Sequence, residues 1–96
     1  ISAVLQTILN IVDFGMSPME AVSVPRIHSE GEFVHVEARV ESSQIAVLES
    51  FGHKIKKSPY SFDPMMARCH VILKDKKNWK AGADPRSGGG VAFARV

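Results

Sequence analysis

The stretch Ile1-Ser-Ala-Val-Leu-Gln-Thr-Ile-Leu-Asn-Ile-Val-Asp-Phe-Gly15, continued by Met16-Ser17-Pro18-Met-Glu20-Ala-Val22, decides how the chain begins to fold. Val4, Leu5, Ile8, Leu9, Ile11 and Val12 recur at intervals of three and four, while Asn10 and Asp13 fall off the stripe. That spacing predicts a helix from Ile1 to Phe14, buried over much of its surface. Gly15 tolerates left-handed dihedrals and is placed to end it. Ser17 then supplies a capping oxygen, Pro18 suits the first helical position, and Glu20 stands three residues after the cap, the pattern of a capping box. The second helix must stop near Val24, because Pro25 disfavours helical dihedrals in the residue before it. Two short helices at a corner cannot enclose a core, so the apolar stripe calls for a sheet to cover it. The expectation is an α+β layer architecture, in chain order helix, helix, strand, helix, strand, hairpin.

Arg26 to Glu32 reads as a connection. Phe33, Val34 and Val36 against His35 and Glu37 predict a short strand. Ser42 or Ser43 can cap a helix in which Ile45, Leu48 and Phe51 share a face, with Gly52 at its stop. His53 to Lys57 sets Ile55 among charges, as in a strand near a sheet edge, where lysines discourage stray pairing. Ser58 to Pro64 is expected to be a loop. Met66 to Leu73 alternates Met66, Arg68, His70 and Ile72 with the more apolar Ala67, Cys69, Val71 and Leu73, which predicts a longer strand. Asp75-Lys-Lys-Asn78 turns it into an antiparallel partner over Trp79 to Ala83. Asp84 to Gly90 is irregular, and Val91 to Val96 is a tail.

Ninety-six residues are too few for a two-domain enzyme and make a single domain or fragment. Apolar residues at 45% and charged residues at 23% describe a chain able to fold around one core. A net charge of +2, with basic residues scattered apart from Lys54, Lys56 and Lys57 and then Lys74, Lys76 and Lys77, excludes an argument for nucleic acid. The run Ile8 to Val12 is cut by Asn10, far short of the ~20 residues that span a bilayer, so no membrane segment is expected. No basic residue precedes Gly15, so no secretory leader is expected in this stretch. Cys69 is the only cysteine, which leaves localisation unread. The chain does not begin with Met and opens inside an apolar pattern, the expectation being a processed product or a piece of something larger.

Histidines 28, 35, 53 and 70 fall in different elements with no i, i+4 pair, so no metal site is expected, and no cofactor motif is present. Cys69-His70 resembles a nucleophile beside a base, but neighbours on a strand point to opposite faces, and Cys69 is read as a buried structural thiol. Ser87-Gly-Gly-Gly90 lacks the Lys-Ser/Thr of a phosphate loop and needs only backbone freedom. Pro25-Arg26 and Asp84-Pro85-Arg86 are more informative. An arginine next to a proline is pre-oriented, and Asp84 is a candidate bidentate partner for Arg26 or Arg86 in a structural ion pair.

Four segments, in order, resemble a known family: Val4-Leu-Gln6 through Asp13-Phe-Gly15; Glu20-Ala21 followed by Pro25-Arg26-Ile-His28; the Glu37 strand end with the Ile45 to Gly52 helix; and Gly82-Ala-Asp-Pro-Arg-Ser-Gly-Gly89. Together they resemble the C-terminal part of the small subunit of gamma-glutamyltranspeptidases, over essentially the whole chain. Val24 before the proline and the ending Gly-Gly-Gly-Val-Ala-Phe-Ala-Arg-Val96 depart from the common pattern of that family, whose scaffold related acylases and amidohydrolases share.

The resemblance implies an N-terminal-nucleophile hydrolase fold, a four-layer αββα sandwich, in which a threonine freed by self-cleavage attacks the gamma-glutamyl carbonyl and its own amine acts as base. It places that threonine, the substrate-gripping residues and the oxyanion Gly-Gly before Ile1, and so assigns no catalytic residue to this chain. Pro25, Arg26, Asp84, Pro85 and Arg86 are the family-matching structural positions. The expected partner is the remainder of the parent enzyme, the large subunit and the N-terminal part of the small subunit. The start of the first helix is expected to be this chain's nearest approach to the active site, either placing the oxyanion glycines or only filling the core. Apolar surface left over should make the chain by itself self-associate. Three functions compete: a supporting part of a gamma-glutamyl transferase or hydrolase, a part of an acylase on the same scaffold, and a stand-alone interaction module.

Overall fold

A computed structural model of the protein describes residues 2–29 and 31–93. The elements are α1 (Ser2–Val12), α2 (Pro18–Ser23), β1 (Ile27–Ser29), β2 (Phe33–Val36), α3 (Ser42–Ser50), β3 (Lys54–Lys57), a 3-10 turn (Pro64–Met66), β4 (Val71–Asp75) and β5 (Asn78–Gly82). This is an α+β chain, and its contacts group into two compact units. One unit runs to Val24 and resumes at Arg68, and the other is Pro25–Ala67.

In the first unit, Gly15 adopts φ +65, and the Met16 N–H donates to the Asn10 carbonyl at 3.0 Å, which closes α1. The Ser17 capping box forms in both directions: the Glu20 N–H donates to Ser17 Oγ at 3.2 Å, and the Ser17 N–H donates to Glu20 Oε1 at 3.1 Å. The Ser17 backbone donor, and after it the Ser17 hydroxyl, hold the Glu20 carboxyl below its ordinary value. Val24 leaves the helix at ψ 156, as its proline neighbour requires. Asn10 Nδ2 donates to the Ala21 carbonyl at 3.2 Å and ties α1 to α2. The β4–β5 hairpin pairs Val71 with Gly82 and Asp75 with Asn78, and α2 packs on it. The packing is closest at Gly82, where a β-carbon would stand 2.6 Å from the Pro18 carbonyl oxygen.

The first helix departs from expectation in what it buries. Its buried residues are Ala3 and Thr7, with the Thr7 hydroxyl satisfied by the Ala3 carbonyl at 2.8 Å. The large apolar residues point the other way: Leu5, Ile8, Val12 and Phe14 are exposed, Val12 by 72%. Periodicity identified the helix correctly, but it cannot say which face meets the rest of the chain when small residues permit the closer approach.

In the second unit β1, β2 and β3 form one mixed sheet in that order. β1 and β2 are antiparallel and β2 and β3 parallel, with α3 as the crossover that a parallel pair needs. The expected connection from Arg26 to Glu32 therefore contains a strand, Ile27–Ser29, too short to show a period. Helix α3 begins one residue earlier than a serine cap would place it: Glu41 is the cap residue and makes no side-chain capping bond. Ile45 and Leu48 are half-buried, whereas Phe51 is 75% exposed and does not share their cover. The expected strand from Met66 begins only at Val71. Asp63 accepts from the Met65 N–H at 2.9 Å and Pro64 sits at the first helical position, so this segment winds into a 3-10 turn that Ala67 ends at φ +65.

The tail beyond Phe93 and the helix start at Ile1 lie outside the described residues. No helix among the described residues is long and apolar enough to cross a membrane.

Candidate functional site

The two Pro-Arg pairs lie in different units and organise different knots. In the first unit, the Arg86 guanidinium and Asp84 carboxylate pair at 3.1 Å with both side chains fully buried. Arg86 is therefore the arginine that takes Asp84. The same guanidinium donates to the carbonyls of Val22 at 2.7 Å and Val24 at 2.9 Å, the oxygens that the end of α2 leaves unpaired. A planar fork with fixed donors suits this task, since three acceptors converge from one side.

Asp84 is held as firmly as its partner. Oδ1 accepts from the Arg86 N–H at 2.9 Å and Oδ2 from the Cys69 N–H at 2.8 Å, while the Asp84 N–H donates to His70 Nδ1 at 3.1 Å. Cys69 and His70 thus both serve Asp84, one through its backbone and one through its ring. Cys69 is half-buried rather than buried, and residues 67–70 are not a strand, so the alternation expected of them does not apply. Pro85 is exposed and fixes the backbone between the ion-paired residues. His70 Nδ1 is committed as an acceptor, so no nucleophile and base are paired at this point.

In the second unit, Pro25 is half-buried and Arg26 is 2% exposed. The Arg26 N–H donates to Glu37 Oε1 at 2.8 Å, and its guanidinium reaches the Ala67 carbonyl at 3.4 Å. Glu37 is the centre of this knot, fully buried, with Oε2 accepting from the Asp63 N–H at 2.8 Å and Oε1 lying 3.6 Å from Arg39 Nη2. Arg39 stacks over the Phe62 ring at 3.9 Å and donates from Nε to the Ser61 carbonyl at 2.8 Å. From the sequence, Glu37 is singled out only as the end of a strand, and Arg39 and Asp63 are not singled out at all. The available signal was a carboxylate continuing an apolar strand, flanked at 26 and 39 by arginines that could compensate its burial.

Both knots do the same kind of work: a buried charge collects main-chain donors or acceptors from loops that would otherwise leave them unsatisfied. Among the described residues no three of His, Cys, Asp and Glu are grouped as metal ligands. What the arrangement does is hold backbone.

Residues 1–94 match the family model described as Gamma-glutamyltranspeptidase. The chain is 39% identical over 94 residues to the Acylase ACY 1 proenzyme of Pseudomonas sp. (strain V22), covering 94% of this chain and 17% of that protein. It is 33% identical over 89 residues to the Glutathione hydrolase-like YwrD proenzyme of Bacillus subtilis (strain 168), covering 85% of this chain and 17% of that protein. Its structure superimposes with a TM-score of 0.87 on cephalosporin acylase from Bacillus halodurans, at 28% identity, over 98% of this chain and 18% of that one. The chain therefore spans about a sixth of the length of these relatives.

Proposed function

The chain belongs to the gamma-glutamyltranspeptidase family, and from that premise we propose that it is the C-terminal scaffold part of the small subunit of a gamma-glutamyl transferase or hydrolase acting on gamma-glutamyl amides such as glutathione. The observation that carries this reading is the pairing of a family match along the whole chain with charged residues committed to holding backbone. Asp84, Arg86, Glu37 and Arg26 all engage main-chain groups. The nucleophile and its base belong, in this reading, to the preceding part of the subunit, and the exposed apolar face of α1 is where the remainder of the enzyme packs. By itself the chain is expected neither to hydrolyse nor to transfer gamma-glutamyl groups, since among the described residues no nucleophile, base and oxyanion donors stand together.

A second reading keeps the scaffold and changes the substrate. An acylase and a glutathione hydrolase-like protein both match over most of the chain, so the same scaffold also suits a parent that cleaves another amide. The complete gene product containing this chain decides between them, offered a gamma-glutamyl anilide and, separately, a cephalosporin with an acyl amide side chain. Release of the aniline supports the first reading, and cleavage of the cephalosporin alone supports the second. Cleavage of neither, in a folded protein, overturns both. Turnover of the anilide by the 96-residue chain alone, surviving Cys69→Ala, would refute the scaffold assignment.

A further inference from the structure

The β4–β5 hairpin presents a group of side chains that neither knot uses. Ile72 pairs with Ala81 and Lys74 with Trp79, so these four lie on one face of the hairpin. The opposite face carries Gly82, packed against Pro18, and the half-buried Val71 and Leu73. On the outer face Ile72 is 74% exposed, and Trp79, the only tryptophan of the chain, is 56% exposed. The Lys74 ammonium stands 5.2 Å from the centroid of the Trp79 ring. Lys76 and Lys77 form the two-residue turn between the paired Asp75 and Asn78, and every residue from Lys76 to Lys80 is exposed. Lys76 takes φ +54, in the left-handed region, at a turn position that glycine or asparagine usually fills. A lysine there strains the backbone where glycine would not, and departures of this kind concentrate at functional positions. The run Lys74-Asp75-Lys76-Lys77 carries a formal charge of +2, which equals the net charge of the whole chain.

We propose that the tip of this hairpin docks on an anionic lipid bilayer surface, with Trp79 and Ile72 in the interfacial layer and Lys74, Lys76 and Lys77 against the headgroups. Indole has an apolar body and one polar N–H, the combination enriched where membrane meets water. Lysines lay their stems on apolar surface and keep the ammonium among the headgroups. The shape and composition of the tip favour lipid over other anionic partners. A two-residue turn with exposed flanks is convex, whereas a small anion is held in a concave site. Nucleic acid is held by many phosphate contacts and by successive aromatic platforms, and the tip has three lysines, one aromatic ring and an aliphatic neighbour. Docking of this kind needs no spanning helix, and none is present among the described residues. Edge protection accounts for lysines along a strand but not for a lysine strained into the turn or for an exposed indole beside it. Charged residues are depleted from the cores of protein–protein contacts, so a lysine-rich turn stays at the surface of the complete protein.

The test uses the complete protein with vesicles of phosphatidylcholine alone and of phosphatidylcholine mixed with phosphatidylglycerol. Co-sedimentation is expected to show binding to the mixed vesicles that weakens as salt is added, and much weaker binding to the neutral ones. Each lysine near an anionic surface contributes on the order of 1 kcal/mol and 1.4 kcal/mol is a factor of ten, so Lys74→Gln, Lys76→Gln and Lys77→Gln together should weaken binding about a hundredfold. Trp79→Ala should weaken it with the salt dependence unchanged. Lys80→Gln, whose side chain shares the opposite face with Leu73, should weaken it less than Lys77→Gln does. Amide hydrogen exchange of the unaltered protein gives a readout that holds even if a variant does not fold: peptides covering 72–81 should slow with mixed vesicles and not with neutral ones. Equal binding to both kinds of vesicle, undiminished binding by a folded triple variant, or protection confined to other peptides would overturn the proposal. So would a single-stranded oligonucleotide that protects 72–81 when the mixed vesicles do not.

Discussion

Replacing Arg86 by methionine keeps the length and apolar stem of the side chain and removes the fork, which makes it the most direct test of the first knot. Removing one partner of a buried ion pair costs roughly 3–5 kcal/mol, because the other charge is left in a medium that solvates it poorly. Two features of the structure move the figure in opposite directions. Asp84 keeps the Cys69 and Arg86 backbone donors, which lowers the cost. The Val22 and Val24 carbonyls lose theirs, at about 1–3 kcal/mol for each one that water cannot reach. Val22 is fully buried and Val24 half-buried, so one full penalty applies. The net expectation stays at roughly 3–5 kcal/mol, a large part of the ~5–15 kcal/mol that holds a domain folded. Arg86→Lys keeps a charge but offers no planar fork for three acceptors, and should lose about 1–3 kcal/mol. The assay is amide hydrogen exchange in the complete protein, followed on peptides covering 17–24 and 69–86, beside a denaturant midpoint. Faster exchange in both peptides, larger for methionine than for lysine, is expected. Protection within about 0.5 kcal/mol of the unaltered protein, the size of an ordinary surface substitution, would show that the knot is not what holds α2 to the segment around Asp84.

Gly82→Ala should destabilise by about 1–3 kcal/mol, because the new methyl group meets Pro18 and Met19 backbone atoms at 2.6–2.8 Å that cannot rotate away; an unchanged melting temperature would mean that α2 shifts freely on the hairpin. Glu20 has a folded pKa below its unfolded value, so its contribution is present above the unfolded value and lost as pH falls through the folded one. Glu20→Gln, which removes the titrating group, should therefore flatten the acid limb of stability against pH, and an acid limb of unaltered shape would show that the carboxylate contributes nothing through the Ser17 donors. Glu37→Gln leaves the acceptor of one backbone donor as an amide nitrogen or strands Arg39, at roughly 1–3 kcal/mol; a denaturant midpoint shows it. Ile8→Gln with Leu5→Gln, on the exposed face of α1, should reduce self-association of the isolated chain in sedimentation, and unchanged association would place the contact on another surface.

Much of the fold was legible where a local rule has a single outcome. The capping box at Ser17 and Glu20, the stop at Gly15, the strand at Phe33–Val36 and the hairpin around Asp75–Asn78 each follow from residues within a few positions of one another. Ile27–Ser29 escaped because three residues carry no period, and because its half-buried position is the polar His28 while the apolar Ile27 is 38% exposed. Met66 to His70 was misread because alternation was weighed there while Asp63-Pro64, a capping residue before a proline, was left as loop. The face that α1 buries depended on distance between backbones, which favours Ala3 and Thr7 over the larger residues of the stripe and has no signature in periodicity.

The same logic explains why chemistry is the harder reading in this stretch. Asp84, Arg86, Glu37 and Arg26 are residue types that elsewhere serve as acids, bases and anion clamps, and a sequence shows only the type. Here each is buried, and its partners include backbone N–H or C=O groups of chain that is not in regular helix or strand. A buried charge engaged by fixed dipoles at hydrogen-bond distance is costly to redirect. What separates a structural charge from a reactive one is thus the identity of its partners. Those partners come from positions as far apart as 22 and 86, beyond the reach of any local pattern. The row of His28, His35 and Lys56 across β1, β2 and β3 shows the same reach. Those three residues are far apart in sequence, and only the pairing register of three strands places them side by side.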